Sequence, residues 1–324
     1  MIHGAVNISQ GSRNEPPMEE TWRLSKKKDT LWKRARMIHA IRDFFISRDY
    51  LEVETPNLIP VLIPESHIDA ISCGDCFLHT SPELYMKRLL AAGYPRIFQI
   101  CKCFREGERG LCHLPEFTML EWYRQAIDYL PLMKECEELI ISVARDLGYG
   151  DVIHYQGQTL RLQRPWESIS VREAFALYGP MPMDKALKED CFDEVMVSYI
   201  EPHLGFEQPT FIYDYPVSKA TLAKAKEEEP DLAERFELYI GGKEIANACS
   251  ELTDQNEHYI RFEKVQKYRR SMNKSVYPIS ERFLQDVVTM SAAAGIALGV
   301  DRLAMIFTDS PIIDSVVTFT PEFL

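Results

Sequence analysis

The sequence lacks any long hydrophobic run and any leader-like N-terminus. No stretch of about 18 apolar residues occurs, so a membrane-spanning helix is not expected. The N-terminus has no basic region followed by an apolar one, which does not fit a secretory signal peptide. Internal repeats and low-complexity tracts are also lacking. We therefore expect a globular protein of the cytoplasm with no membrane partner.

An excess of positive charge is lacking too. The 324 residues include 37 basic and 49 acidic side chains, and the formal net charge is −12. Proteins that bind nucleic-acid backbones usually concentrate Lys and Arg on one surface. Two short basic segments occur, at residues 26–36 and 264–274. They fit solvated helix faces, with a docking surface for an acidic macromolecule as the alternative, because charge alone does not decide between them.

The eight cysteines include three closely spaced groups: Cys73 with Cys76, Cys101 with Cys103, and Cys112 beside His113. Thiolates and imidazoles bind zinc, so these groups are candidate metal ligands. The two pairs lie in segments with strand-like sequences, and a reducing cytoplasm disfavours disulfides. Free thiols are expected, with a zinc site and a disulfide as alternatives.

Hydrophobic periodicity predicts an α+β fold. Residues 1–29 have few apolar positions and no sustained period, which predicts a flexible N-terminal arm before one domain at residues 30–324. A three- and four-residue apolar spacing predicts a helix from about residue 30 to 49, with Asp29 or Thr30 as its N-cap. Residues 51–56 alternate like a strand.

Further along the chain, helical and extended patterns alternate. Ser81 and Pro82 suit the N-cap and first position of a helix that continues through residue 90. Gly241-Gly242, between two extended runs, predicts a β-hairpin. Strands are also predicted at residues 96–104 and from residue 295, and helices at residues 130–147, 184–200, 259–270 and 281–289. The pattern predicts an antiparallel sheet flanked by helices.

The most informative segment is residues 104–124, FREGERGLCHLPEFTMLEWYR. Arg105 follows a predicted strand, a charged glycine-containing loop comes next, and a returning strand carries Phe117. This order suits nucleotide chemistry, since a guanidinium binds phosphate and an aromatic ring stacks on a base. The segment ends on Glu121 and Tyr123, an acid and a phenol that suit a bound cation.

Three motifs in order resemble the class II aminoacyl-tRNA synthetases, specifically their lysine-type branch. Residues 51–56 resemble the end of motif 1, residues 104–123 resemble motif 2, and residues 299–303 (GVDRL) resemble motif 3. Residues 80–83 (TSPE) and 244–251 lie between them at family-like positions. The resemblance implies the class II catalytic fold, and a homodimer built on motif 1 around its proline.

The resemblance also implies an ATP site. Arg105 would stabilise charge on the α-phosphate, and Phe117 would stack under adenine with Arg302 above it. Glu244 and Glu251 would hold a Mg²⁺ ion that bridges the phosphates. Catalysis is assigned to Arg105 and Arg302, and further ATP contacts are assigned to Glu106, Gly107, Glu108, Ile245 and Gly299.

Glu244 and Glu251 pose a geometric requirement. Residues seven apart on an unbroken strand face opposite sides of a sheet. Convergence on one ion therefore requires a bulge, which we expect near Asn247 and Ala248. The family usually has glycine where this chain has Ala248.

Amino-acid selection is assigned by the resemblance to Glu83, Glu121 and Tyr123. In the lysine-type branch, the acid and the phenol hold the side-chain ammonium, and the acid of the Ser-Pro-Glu motif helps bind the other amine. An enclosed carboxylate is required because a buried cation needs a partner. The predicted substrate contacts also include Ser81, Asn247 and Glu251.

Motif 2 departs from the family pattern at two positions. Gly107 occupies the usual glutamate position, with Glu108 one residue later, and Leu114 stands where an asparagine often contacts ATP. Glycine flexibility would let Glu108 move into place. Either the nucleotide contacts are rearranged or activation is weakened.

Residues 1–29 are too few for the five-stranded OB-fold with which lysyl-tRNA synthetases read the anticodon. We therefore expect no anticodon recognition of tRNA. This architecture resembles the elongation factor P lysyltransferases, which activate lysine, preferentially (R)-β-lysine, as an adenylate. They then join it by an amide bond to a lysine of elongation factor P. Ala297, near the expected pocket floor, predicts a bias away from α-lysine.

Three alternatives stay open. A tRNA-charging enzyme is disfavoured by the short N-terminal segment. An amidating ligase similar to asparagine synthetase is disfavoured by Glu121 and Tyr123, which suit a basic amino acid. A non-catalytic amino-acid sensor gains support from Gly107 and Ala248, although most of the catalytic residues are present.

Overall fold

A mixed sheet forms the centre of the molecule, and the computed structural model describes residues 17–324. The strands are β1 (Leu51–Glu52), β2 (Leu58–Ile59), β3 (Ser72–Cys73), β4 (Cys76–Leu78), β5 (Arg96–Phe104), β6 (Glu116–Gln125), β7 (Val152–Tyr155), β8 (Gln158–Arg161), β9 (Glu167–Ser170), β10 (Thr210–Pro216), β11 (Leu232–Ile240), β12 (Lys243–Ser250) and β13 (Ala293–Gly299).

Ten α-helices occur among the described residues: α1 (Pro17–Lys26), α2 (Lys28–Ile46), α3 (Glu83–Ala91), α4 (Tyr129–Asp146), α5 (Val171–Tyr178), α6 (Met183–Lys188), α7 (Phe192–Val195), α8 (Gln255–Ser271), α9 (Glu281–Val287) and α10 (Val300–Phe307). A π-helical turn covers Met196–Ile200. Short 3₁₀ turns cover Glu201–His203, Val217–Lys219, Ile313–Ser315 and Pro321–Phe323.

The main sheet has eight strands in the order β1-β5-β6-β13-β12-β11-β10-β9. The pairs at its two edges, β1–β5 and β9–β10, are parallel, and the remaining pairs are antiparallel. Smaller sheets are formed by β2-β4-β3 and by β7-β8. The prediction of an α+β fold around an antiparallel sheet is therefore confirmed, with parallel edges added.

Alternate residues of strand β6 face two different environments, the main core on one side of the sheet and the pocket on the other. Leu120 and Trp122 point into the main core with residues of α2 and α4 such as Phe45 and Leu139. A fully buried side chain of this size contributes about 1.5–3 kcal/mol. The alternate residues of β6 must face the other side of the sheet, where the pocket described below lies.

Four helices, α4, α5, α8 and α9, begin at a residue whose side chain caps the helix. Asp128 caps α4 by accepting from Leu130 N, and Ser170 with Glu173 forms a capping box on α5. The cap predicted at Asp29 or Thr30 is wrong, because α2 begins at Lys28 and its N-cap residue makes no side-chain cap bond.

Three other boundaries differ from prediction. Helix α3 begins at Glu83 with Pro82 as its N-cap residue, although the Ser81 hydroxyl still accepts from Glu83 N at 3.0 Å. The strand predicted at residues 51–56 shortens to β1. The helix predicted at residues 184–200 is interrupted before α7, where Asp190 has a positive φ of 54° that a continuous helix does not allow.

Part of the predicted N-terminal arm is helical. Helix α1 lies within residues 1–29, and Lys27 Nζ donates to the carbonyls of Val317 and Thr318. Residues 1–16 lie outside the described residues, so the arm and its boundary at residue 29 stay predictions. Within the described part of the chain, no helix has the length and apolarity needed to cross a membrane.

Candidate active site

A pocket of about 350 Å³ opens on the face of the main sheet away from α2 and α4. Its walls come from β6, β12 and β13 and from the segment between β2 and α3. Thirteen of the predicted site residues line it: Ser81, Glu83, Arg105, Glu108, Phe117, Glu121, Tyr123, Glu244, Ile245, Asn247, Glu251, Gly299 and Arg302. Residues more than 200 positions apart in the sequence are thereby brought to one site.

Two residues predicted to bind ATP, Glu106 and Gly107, do not line this pocket. The Glu106 amide donates to the Asp69 carbonyl at 2.7 Å. Gly107 has a φ of 76°, and a Cβ added there would have no atom within 4 Å. Backbone conformation, rather than lack of space, therefore favours glycine at this position. Leu114 lines the pocket as an apolar side chain and cannot supply the polar contact of an asparagine.

Glu121 is the most enclosed acid at one end of the pocket. Its carboxylate accepts from Ser81 Oγ at 2.6 Å and from the Tyr123 hydroxyl at 2.8 Å. Burial, followed by the nearby Glu83 carboxylate, raises the Glu121 pKa to about 8 despite these bonds. A cation entering this end would favour the ionised carboxylate.

Lys87 is a buried cation that the sequence interpretation missed. Its ammonium lies 2.5 Å from carboxylate oxygens of both Glu83 and Glu251. Burial alone would lower the Lys87 pKa, but the two carboxylates outweigh it and raise the pKa. For the acid Glu251, burial has the opposite effect and raises the pKa to about 7. The i,i+4 spacing of Glu83 and Lys87 on α3 was the available signal.

The acidic end therefore has more carboxylates than cations. Glu83, Glu121 and Glu251 face one ammonium, and Glu65 lines the same pocket. Burial and Glu83 raise the Glu65 pKa to about 7. The nearby cations do not offset the desolvation of these acids, so their pKa values stay raised, which suits a substrate that brings further positive charge.

Guanidinium groups surround another part of the pocket. The Arg105 guanidinium lies 5.0 Å from the Phe117 ring centroid and 3.7 Å from the Glu108 carboxylate. Arg302 donates to the Glu244 carbonyl at 2.8 Å and contacts His113 Nε2 at 2.6 Å. Arg105, rather than Arg302, thus covers the Phe117 ring in this structure.

Asp301 fixes the position of motif 3, the segment that also carries Arg302. Its side chain is 2% exposed and accepts from Arg34 Nη2 at 2.6 Å and from Thr118 N at 2.7 Å. These bonds join α2, β6 and the start of α10. Arg34 belongs to the basic segment at residues 26–36, so the interpretation of that segment as a solvated face is wrong for this residue.

The required bulge exists, but two residues before its predicted place. Leu238 pairs with Ala246 and Tyr239 pairs with Glu244, which leaves Ile245 as the extra residue of β12. Glu244 is thereby brought to the side of β12 that carries Asn247 and Glu251, and all three line the pocket. Asn247 Oδ1 accepts from Arg235 Nε at 3.1 Å, and Arg235 is a second pocket residue missed from the sequence.

The two candidate Mg²⁺ ligands differ in their surroundings. The Glu244 carboxylate lies 3.3 Å from Arg302 Nη1 and is partly exposed, whereas Glu251 is paired with Lys87. Both supply the hard oxygen donors that Mg²⁺ prefers, and this ion commonly takes its other ligands from phosphates and water. The residues therefore fit a nucleotide-bound ion. Glu244 is the more available donor, because its carboxylate is partly exposed and is not paired with Lys87.

The cysteines are free thiols in this structure. Cys73 and Cys76 pair across the β3–β4 hairpin, and Cys112 lines the pocket. Cys101 and Cys103 lie near each other, beside the pocket. A hydrogen bond from Cys103 is the main cause that lowers the Cys101 pKa to about 6, while burial raises the Cys103 pKa.

Sequence comparison places this chain in a known family. A model described as "tRNA synthetases class II (D, K and N)" matches residues 18–322. The chain belongs to the class II tRNA synthetases of this type. The class II fold predicted from the three motifs is thereby confirmed.

Full-length relatives carry a more specific name. Elongation factor P--(R)-beta-lysine ligase of Proteus mirabilis is 38% identical over 92% of this chain and 97% of the relative. Its counterpart in Mannheimia succiniciproducens is 39% identical over 93% and 98%. Lysine--tRNA ligase of Moorella thermoacetica is 38% identical over 88% of this chain and 64% of its own length. The predicted resemblance to the elongation factor P lysyltransferases and to the lysine-type branch is confirmed.

Proposed function

We propose that this protein is an ATP-dependent ligase that activates lysine or (R)-β-lysine as the adenylate and transfers it to a lysine side chain of elongation factor P. The observation that carries the proposal is that acidic and basic side chains lie in different parts of one pocket. The carboxylates of Glu83, Glu121 and Glu251 exceed the single ammonium among them, whereas Arg105 and Arg302 supply guanidinium groups elsewhere in the pocket. The names of the full-length relatives support the acceptor.

In the first step, the acidic end would bind the ammonium groups of the substrate. Glu121 and Tyr123 would hold the side-chain amine, and Glu83 the other amine. Asn247, oriented by Arg235, would contact the carboxylate. The carboxylate would then attack the α-phosphate of ATP, the bond to the β-phosphate would break and pyrophosphate would leave. Arg105 would stabilise the charge that develops during this attack.

Around the nucleotide, Phe117 would stack on adenine, with Arg302 on the other side. Glu244 and Glu251 would hold Mg²⁺, which neutralises phosphate charge when bound. In the second step, the amine of the acceptor lysine attacks the adenylate carbonyl, an amide bond forms and AMP leaves. No side chain of this protein has to form a covalent intermediate.

Ala297 lines the pocket, and the proposed preference for β-lysine depends on this residue. It pairs with Asn247 on one side and with Glu121 on the other, between the proposed carboxylate and ammonium contacts. A methyl group there would narrow the space available to the part of the substrate between these contacts. We therefore propose (R)-β-lysine as the preferred substrate, and a homodimer in the cytoplasm as the active form.

The deciding experiment is ATP–pyrophosphate exchange with α-lysine, both β-lysine enantiomers and aspartate, followed by transfer assays. We expect exchange with (R)-β-lysine above that with α-lysine, and labelling of elongation factor P but not of total tRNA. Exchange with aspartate alone would exclude the lysine assignment. Charging of tRNA without labelling of the factor would exclude the transfer step.

A further inference from the structure

Beside the pocket, one imidazole and two thiols come together. Cys101 Sγ and Cys103 Sγ are 3.9 Å apart, and Cys103 Sγ lies 4.0 Å from His79 Nε2. Ligand atoms of the three residues all lie within 4.8 Å of one another. Among residues 17–324, no other group of three His, Cys, Asp or Glu side chains meets this condition.

The fold explains why these residues meet. Cys101 and Cys103 are two positions apart on β5, so their side chains project from the same face. His79 follows β4, and its carbonyl accepts from Phe104 N at 3.0 Å, which holds the loop against the end of β5. Sequence spacing revealed the cysteine pair but not the histidine.

The distances fit a tetrahedral cation. Zinc–sulfur bonds of about 2.3 Å and zinc–nitrogen bonds of about 2.0 Å at tetrahedral angles place two sulfurs about 3.8 Å apart, and sulfur and nitrogen about 3.5 Å apart. The observed distance of 3.9 Å between the two sulfurs differs from the first value by about a tenth of an ångström. The ligand nitrogen of His79 lies within 4.8 Å of both sulfurs, so a small movement of the ring would complete three ligand bonds.

His79 has unused bonding capacity. The side chain is fully buried, and Nε2 lies 2.6 Å from the Lys102 carbonyl, to which it can only donate. The lone pair of the neutral ring is then on Nδ1, a buried atom without a hydrogen-bond partner in the structure. A buried polar atom without a partner is costly, and a bound cation removes the need for one.

We propose that His79, Cys101 and Cys103 form a binding site for one thiophilic cation of the zinc class. Imidazole and thiolate ligands select such ions over Mg²⁺, which prefers oxygen. Cys101 is partly exposed and provides the entry path, while His79 and Cys103 are buried. A water molecule or a backbone carbonyl completes the fourth position.

The site would act as a clamp rather than in catalysis. His79 lies two residues before Ser81, whose hydroxyl donates to Glu121. Cys101 pairs with Met119, on the strand that also carries Glu121. A cation would thus tie the loop that carries Ser81 to the sheet beside the pocket, and binding to the folded state alone would raise thermal stability.

The test uses the full chain, stripped of metal with a chelator and titrated with Co²⁺. One equivalent should produce thiolate-to-cobalt charge-transfer absorption, Zn²⁺ should displace it, and Zn²⁺ should raise the melting temperature. Cys101→Ser and the double variant Cys101→Ser/Cys103→Ser should lose both effects. The matched control is Cys73→Ser/Cys76→Ser, which removes the other cysteine pair and should retain them.

Two results would overturn the site. One is the lack of a cobalt–thiolate spectrum in the metal-stripped chain at micromolar protein. The other is a spectrum that survives in the Cys101→Ser/Cys103→Ser variant or disappears in the Cys73→Ser/Cys76→Ser variant. Cys101→Ser retains buried Cys103, and equal far-UV circular dichroism of variant and parent without metal would rule out misfolding as the cause of lost binding.

Discussion

At the scale of single residues, the pocket holds a buried acid that lacks a compensating cation. Glu121 accepts two hydrogen bonds from neutral hydroxyls, and the ionisable groups whose charges act on it are the Glu83 carboxyl and the Cys101 thiol. Its raised pKa reflects the cost of ionising a buried carboxyl without a cation beside it. The same residue therefore costs stability in the free protein and selects a basic substrate.

This cost predicts a pH dependence. The Glu121 pKa is raised to about 8 from an ordinary value of 4.5, so the folded state retains a proton that the unfolded state releases. The contribution to stability is full below about pH 4.5 and is lost as the pH rises toward 8. Glu121→Gln should reduce the fall in unfolding free energy between these values, measured by urea denaturation. Glu116→Gln, on the exposed end of β6, is the control, and an unchanged slope in Glu121→Gln would contradict the assignment.

Arg105 should matter only once charge develops on phosphate. Arg105→Ala should lower the rate of ATP–pyrophosphate exchange on the order of 10²–10³-fold, since a guanidinium on the reacting phosphate would be lost. Its melting temperature should change little, because the ion pair with Glu108 is long at 3.7 Å. Arg172→Ala, which removes an exposed pair with Asp184, should keep the parental rate. Retained exchange in Arg105→Ala would remove this residue from catalysis.

Gly295 makes the substrate end of the pocket possible. A Cβ added there would lie 2.2 Å from the Tyr123 ring and 2.4 Å from Glu251 Oε1. Gly295→Ala should destabilise the fold by about 1–3 kcal/mol and weaken lysine binding, measured by denaturation and calorimetry. At Gly110 the nearest atom would be 3.9 Å away, so Gly110→Ala should retain the parental stability. Equal stability of the two variants would show that the pocket relaxes freely.

At the scale of elements, α8 organises the loop over the pocket. Arg269 is fully buried and donates to the carbonyls of Glu65 and Ile68 at 2.7 and 2.9 Å. It also pairs with Asp69 at 2.5 Å. The expectation of a solvated basic face at residues 264–274 is therefore wrong for Arg269, which fastens the loop that brings Glu65 to the pocket.

Neighbouring arginines on α8 supply a matched comparison. Arg269→Lys should lower the unfolding free energy by about 2–4 kcal/mol, because an ammonium cannot reach all the acceptors of the planar guanidinium. Arg270→Lys, at an exposed position, should change it by less than about 0.5 kcal/mol. Chemical denaturation of both variants tests this, and similar losses in the two would mean that the loop contacts contribute little.

At the scale of the whole molecule, apolar side chains remain exposed near motif 1. Leu51 and Leu58 are each 49% exposed, and Trp32 on α2 is 72% exposed. Large exposed apolar surfaces often mark protein interfaces. They support the proposed homodimer, in which a second copy would cover β1.

If β1 lies in the dimer interface, a charge introduced there should weaken the dimer. Leu51→Lys should shift the protein from dimer toward monomer in sedimentation equilibrium, because a lysine at the centre of an apolar contact must be desolvated. Leu177→Lys changes an equally apolar, exposed residue on α5 and should leave the dimer intact. A monomeric parent, or dimers in both variants, would contradict an interface at β1.

Much of the fold and of the site could be predicted from residues that are close together in the sequence. The order of strands and helices, the Gly241-Gly242 hairpin and the three motifs are encoded by neighbouring residues, whose spacing and turn chemistry act over short distances. The resemblance of the motifs to the class II family assigned Arg105, Glu121 and Arg302 to one site. The spacing of the two candidate Mg²⁺ ligands also required a bulge in β12, since the parity of strand positions follows from backbone geometry alone.

Only the tertiary structure decided which charges are buried together. Lys87 with Glu251, Arg269 with Asp69, and His79 with Cys103 pair residues from distant segments, and no periodicity reports such contacts. Their cost or benefit depends on desolvation, which exists only once the sheet and loops have packed. The sequence by itself therefore determined the family, the elements and the chemical classes in the pocket, whereas folding determined their protonation, partners and position.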